Sequence, residues 1–133
     1  MDAIRKVLVV DDDPVVGKSF DRVLSGKGYA VITARNGEEA LNKLRSETYD
    51  VVFTDIRMPG MSGLDTIPCL RRVMPDLSII ALTVLDTNGY REAALAAGAN
   101  EFVAKGNLSA DLLPAIRRVA RSDRSPASGN GGG

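Results

Sequence analysis

The stretch Val51-Val52-Phe53-Thr54-Asp55 decides the fold. Its first three residues are apolar without alternation, and a strand with no polar face belongs to a sheet covered on both sides. It then runs into a hydroxyl and a carboxylate. Upstream, Val7-Leu8-Val9-Val10 is a second such run, ending in Asp11-Asp12-Asp13. Between the two, Val16, Phe20, Val23 and Leu24 share one helical face at i, i+4, i+7 and i+8, and Gly26 and Gly28 stop that helix. Tyr29 to Thr33 reads as another strand, and Asn36-Gly37 turns into a helix carrying Ala40, Leu41 and Leu44. Downstream, a helical segment from Gly63 to Met74 precedes a strand at Ser78 to Leu82. An alanine-rich helix around Tyr90 to Ala97 ends at Gly98, Glu101 to Ala104 is a short fifth strand, and Leu112, Leu113, Ile116, Val119 and Ala120 stripe the last helix.

Five strands alternating with five helices predict one doubly wound α/β domain, a parallel sheet with right-handed crossovers and helices on both faces. Pro68 and Pro114 fall inside helical patterns, so the helices carrying them are expected to start late or bend. The domain is expected to span residues 1–121. From Ser122 to Gly133 no apolar residue can anchor the chain, which reads as a flexible linker or tail.

Composition narrows the chemistry. The chain has 133 residues, 44% of them hydrophobic, which suits a single soluble domain with a full core. Seventeen basic residues balance seventeen acidic ones, which argues against a general polyanion binder. Arg117, Arg118, Arg121 and Arg124 cluster near a helix C-terminus, where the helix dipole favours cations, and read as a solvated basic face. Histidine is absent, which removes imidazole bases and imidazole metal ligands. Cys69 is the single cysteine, so no internal disulfide or thiolate zinc cage forms, and it reads as a small packing residue. The run Val7 to Val10 is too short for a signal-peptide core or a membrane span, and a cytoplasmic protein is expected.

Ligands of open α/β sheets bind at the carboxyl ends of the strands. Here the first strand delivers Asp11 and Asp12 to that edge, the third Asp55, the fourth Thr83 and the fifth Lys105. Asp13 precedes Pro14 and suits a helix N-cap instead. Three converging carboxylates repel one another, and a hard cation such as Mg²⁺ relieves that repulsion. An oriented carboxylate can then act as a nucleophile towards a phosphoryl group, with the cation, Lys105 and the Thr83 hydroxyl or a backbone N–H around its oxygens.

The segments KVLVVDDDP (Lys6–Pro14), VVFTDIRMPGMSG (Val51–Gly63), IIALT (Ile79–Thr83) and GANEFVAK (Gly98–Lys105), in this order, resemble the receiver domain of two-component response regulators. The resemblance covers about residues 5 to 121. It implies the flavodoxin-like strand order 2-1-3-4-5. It further implies Asp55 as phosphoacceptor and Mg²⁺ held by Asp11, Asp12, Asp55 and the backbone carbonyl of Arg57. Thr83 would be the switch hydroxyl, Lys105 the lysine of the site and Phe102 the aromatic that rotates with Thr83. The implied partners are a histidine kinase or phosphotransfer protein as donor and a downstream output domain or protein. Slow autodephosphorylation, rather than turnover of a substrate, is implied as well.

Departures from the family pattern are Gly106 in place of the usual proline and Val84 in place of a smaller residue. Arg57 and Leu85 occupy positions that tune the lifetime of the phosphoryl group. The missing proline and the closing segment look like receivers attached to helix-turn-helix DNA-binding outputs, although this stretch holds no nucleic-acid module of its own. Dimerisation through the face of the last helix stays open. The alternatives are a receiver-like interaction module that signals without phosphate and a phosphohydrolase. The latter needs a second carboxylate two residues after Asp55, where Arg57 stands.

Overall fold

A computed structural model describes residues 6–56, 63–83 and 88–124. Five strands alternate with five helices: β1 (Lys6–Val10), α1 (Pro14–Leu24), β2 (Ala30–Ala34), α2 (Gly37–Ser46), β3 (Val51–Asp55), α3 (Gly63–Val73), β4 (Ser78–Thr83), α4 (Asn88–Ala97), β5 (Glu101–Ala104) and α5 (Leu108–Arg124), with one 3-10 turn, Lys105–Asn107, before α5. The strands form one sheet in the order β2-β1-β3-β4-β5, and every neighbouring pair is parallel. The expected doubly wound architecture and its strand order are therefore present.

The continuous apolar runs end where a covered sheet requires. All residues of β3 and β4 are buried, whereas β2, at the sheet's edge, leaves Ala30 and Thr33 exposed. Side chains alternate between two cores, following the two-residue period of a strand. Leu8, Val10, Val52, Ile79, Ala81 and Phe102 pack beneath α2, α3 and α4, with Leu44, Ile67 and Ala94 from those helices. Val7, Val9, Val51, Phe53, Ile80, Leu82 and Val103 pack on the opposite side, under Phe20 of α1 and Leu112 and Ile116 of α5. Phe20 meets Phe53 edge to face at 4.8 Å, a favourable quadrupole arrangement.

Local chemistry sets the helix ends. Asp13 caps α1 by accepting the Val15 N–H at 3.0 Å, with Pro14 at the first helical position. Asn36 caps α2 by accepting the Glu39 N–H at 2.8 Å. Gly26 and Gly28 take φ of 73° and 86° in the turn after α1, a region that L side chains enter only with strain. After α4, Gly98 has φ 120° and its carbonyl is held by Arg71. The same guanidinium reaches the carbonyls of Pro75 and Leu77 and Oδ1 of Asn100, so one side chain ties the end of α3 to the start of β4 and the end of α4.

Both prolines lie within their helices. Pro68 follows five helical residues of α3 and Pro114 follows six of α5, so neither helix begins late. Each ring removes one backbone donor, and tertiary packing of Ile67 and Leu70, or of Leu112 and Ile116, holds the helix across the gap. The strand expected from Tyr29 begins one residue later, and α5 runs on to Arg124, past the expected boundary at residue 121. Residues 125–133 of the expected tail lie outside the described residues.

Candidate functional site

At the carboxyl edge, β1 and β3 lie side by side in the middle of the sheet, and the chain leaving them carries Asp11 and Asp55. Both residues are buried, while Asp12 is exposed. One oxygen from each of Asp11, Asp12 and Asp55 lies within 4.8 Å of the others. Lys105 leaves the end of β5, and its ammonium lies 2.6 Å from Asp11 Oδ2 and 2.9 Å from Asp55 Oδ2. Neighbouring strands stand about 4.8 Å apart, so bridging from β5 past β4 to β3 and β1 needs a stem as long as lysine's.

The electrostatics show a demand for positive charge. Burial raises the pKa of Asp11 above the ordinary carboxylate value, and the charge of Asp55 adds to this; contact with Lys105 and the Asp13 N–H oppose it without cancelling it. For Lys105, burial alone would lower the ammonium's pKa, but contacts with Asp11 and Asp55 outweigh burial and leave it raised. Both groups therefore hold their protons more tightly than in water. Asp11 Oδ1 accepts the Asp13 N–H at 2.9 Å. Asp11 Oδ2 receives no well-aligned hydrogen bond despite its close ammonium neighbour, and an underused buried carboxylate oxygen is what a hard cation would take. The donor set of three carboxylates, one open to solvent, thus fits Mg²⁺.

Of the residues singled out in the sequence, Asp11, Asp12, Asp55 and Lys105 come together. Thr83, fully buried, ends β4, one residue beyond the Leu82 that pairs with Asp55. Phe102 pairs with Ala81 across β4 and β5 and packs beneath α4, on the sheet face opposite Val103. Arg57, Val84 and Leu85 lie outside the described residues. Arg118 pairs with Glu101 at 3.0 Å and Arg117 is exposed, in keeping with a solvated basic face.

Two features escaped the sequence reading. Arg91 of α4 stacks on the Phe102 ring, with Cζ 4.9 Å from the centroid. A groove of about 420 Å³ extends from Asp11, Asp12 and Asp13 along α1 to Lys18, Asp21, Thr33 and Arg35. Gly17 forms part of its wall, where a Cβ would stand 2.8 Å from Thr33 Cγ2. Helical period places residue 17 beside the buried Phe20, but only the β1–β2 register brings Thr33 against it.

A doubly wound domain of order 2-1-3-4-5 with an acidic cluster at its carboxyl edge is the architecture of signalling receivers. The chain belongs to the response regulator receiver domain family, whose model it matches over residues 7–117. It is 40% identical over 116 residues to the response regulator MprA of Mycolicibacterium vanbaalenii, a match covering 87% of this chain and 50% of that protein. The MprA of Mycobacterium avium is 39% identical over the same length. The chain thus spans about half the length of these curated relatives. Among solved structures, the chemotaxis protein CheY4 of Vibrio cholerae superposes with a TM-score of 0.80 at 31% identity, covering 88% of this chain and 99% of that one. A receiver domain protein from Clostridium thermocellum gives 0.81 at 28% identity, covering 91% and 98%. The chain is therefore a two-component receiver, a signalling module of the kind switched by phosphorylation. Among the described residues no helix is long and apolar enough to cross a membrane.

Proposed function

We propose that Asp55 accepts a phosphoryl group from the phosphohistidine of a partner kinase or phosphotransfer protein, and that the modified chain changes its affinity for an output domain or protein. The observation that carries this reading is the Lys105 ammonium held at 2.6 Å and 2.9 Å between Asp11 and Asp55. An Asp55 carboxylate oxygen attacks phosphorus, a P–O bond forms, and the P–N bond breaks with its electron pair leaving on the donor imidazole. Lys105 stays beside Asp55 and meets the negative charge of the transferred oxygens. Asp11, Asp12 and Asp55 would hold Mg²⁺, with the backbone carbonyl of Arg57. When bound, Mg²⁺ supplies charge neutralisation and alignment of the phosphoryl oxygens. The Thr83 hydroxyl then turns towards a phosphoryl oxygen, and Phe102 follows on the same sheet face.

The donor imidazole comes from the partner, consistent with a chain that has no histidine. The phosphoryl group leaves slowly by hydrolysis at the same site, so the chain signals rather than turning over a substrate. The residues beyond α5 serve as a linker or tail, and the reaction takes place in the cytoplasm.

The test is intact mass after incubation with Mg²⁺ and acetyl phosphate, with Asp55→Asn alongside. One phosphoryl addition that requires Mg²⁺ and disappears in Asp55→Asn supports the reading. Addition that persists in Asp55→Asn moves the acceptor elsewhere, and no addition from either the small donor or a phosphorylated kinase refutes it.

A further inference from the structure

Thr83 and Phe102 share one face of the sheet. Along β4, Ile79 and Ala81 point into the core beneath α2, α3 and α4, and the two-residue period puts Thr83 with them. On β5, Phe102 enters the same core, opposite Ala81 in the ladder and in one cluster with Ala94 of α4. Phe102 is only 9% exposed. Over it lies the Arg91 guanidinium, with Cζ 4.9 Å from the ring centroid. A cation in that place is attracted by the ring's quadrupole and also closes the ring off from above.

We propose that Arg91 is a positioning residue of the switch, holding Phe102 in its buried place and so weighting the protein towards the arrangement in which Thr83 turns to Asp55. This rests on Asp55 being the phosphoacceptor and Thr83 the responding hydroxyl. A threonine side chain that moves towards β3 vacates space beneath α4, and close-packed interiors disfavour a void there. A ring held inside fills that space; a ring swung out leaves it open. Only contacts that differ between two arrangements can shift their populations, and the Arg91 stack is made with the ring in its inward place. Its expected weight on the equilibrium is about two- to five-fold.

The experiment compares Arg91→Met, which keeps the stem without the charge, and Arg91→Lys, which keeps a cation, alone and combined with Phe102→Leu. The first readout is affinity for beryllofluoride with Mg²⁺, a phosphoryl mimic, followed by ¹⁹F NMR. The second is the ¹³C ring resonance of Phe102 in unphosphorylated protein. Arg91→Met should weaken beryllofluoride binding about two- to five-fold and shift the ring resonance. Arg91→Lys should restore most of the affinity, and with Phe102→Leu the effect of Arg91→Met should vanish. Unchanged affinity in Arg91→Met, or the same loss without the ring, overturns the proposal. Failure of the wild-type chain to bind beryllofluoride overturns the phosphoacceptor reading instead, and an unmoved ring resonance shows independently that Arg91 does not hold Phe102.

Discussion

Lys105→Met removes the ammonium between Asp11 and Asp55 and keeps most of its apolar stem. The lysine side chain is 15% exposed, and the two carboxylates it serves are 1% and 7% exposed. Breaking a buried ion pair costs about 3–5 kcal/mol, because the remaining charge is left buried and uncompensated. Asp11 moderates this by taking up a proton more readily than an ordinary carboxylate. A loss of about 3 kcal/mol at pH 7.5 without Mg²⁺ is expected, or roughly 10 °C in melting temperature.

The loss carries a pH signature. A carboxyl whose folded pKa is raised binds more protons folded than unfolded. Its stabilising contribution is therefore complete below its unfolded value, about pH 4, and is lost as pH rises through the folded value. Without the ammonium the folded value rises further, so the variant's deficit should be small near pH 4 and full by neutrality. The Lys105 contribution itself persists up to alkaline pH, because its own pKa is raised. Mg²⁺ at a hundredfold excess over its Kd should restore about 2.7 kcal/mol and should bind the variant more tightly than the wild type, since the competing cation is gone. Urea unfolding followed by far-UV circular dichroism, with and without Mg²⁺, measures all three effects. A variant as stable as the wild type at pH 7.5, or a deficit independent of pH and Mg²⁺, would refute this electrostatic account.

Gly17→Ala tests the wall of the α1 groove: its Cβ would stand 2.8 Å from Thr33 Cγ2, an overpacking cost of about 1–3 kcal/mol against about 1 kcal/mol gained in helix propensity. Adding Thr33→Ser, which deletes that methyl, should turn a net loss into a net gain in thermal melting, and equal effects in both backgrounds would show that no clash exists. Asp13→Ala should cost about 1 kcal/mol through loss of the α1 cap, with Asp13→Asn retaining most of it, read by the urea midpoint.

Much of the fold was legible because burial on both sides erases alternation. Val51 to Phe53 and Ile79 to Leu82 could hardly be anything but inner strands of a covered sheet. The edge was less so: β2 has one half-solvated flank, and its start moved from Tyr29 to Ala30. The prolines did not mark helix starts because propensity is local, whereas the cores under α3 and α5 hold those helices across the missing donor. In the site, the ends of β1, β3 and β5 announced Asp11, Asp12, Asp55 and Lys105. The reach of Lys105 over two intervening strands to Asp11 follows only from the strand order, which came from family likeness rather than periodicity. The stack of Arg91 on Phe102 left no trace, since both residue types are ordinary in their own segments.

The polar groups of the site enter the chain at three separate places, the ends of β1, β3 and β5, with Lys105 last. A chain growing from its N-terminus carries its carboxylates long before their counter-charge. Until β5 docks beside β4, the Lys105 ammonium is not over Asp55. The charge balance of the site is thus completed only with the last strand.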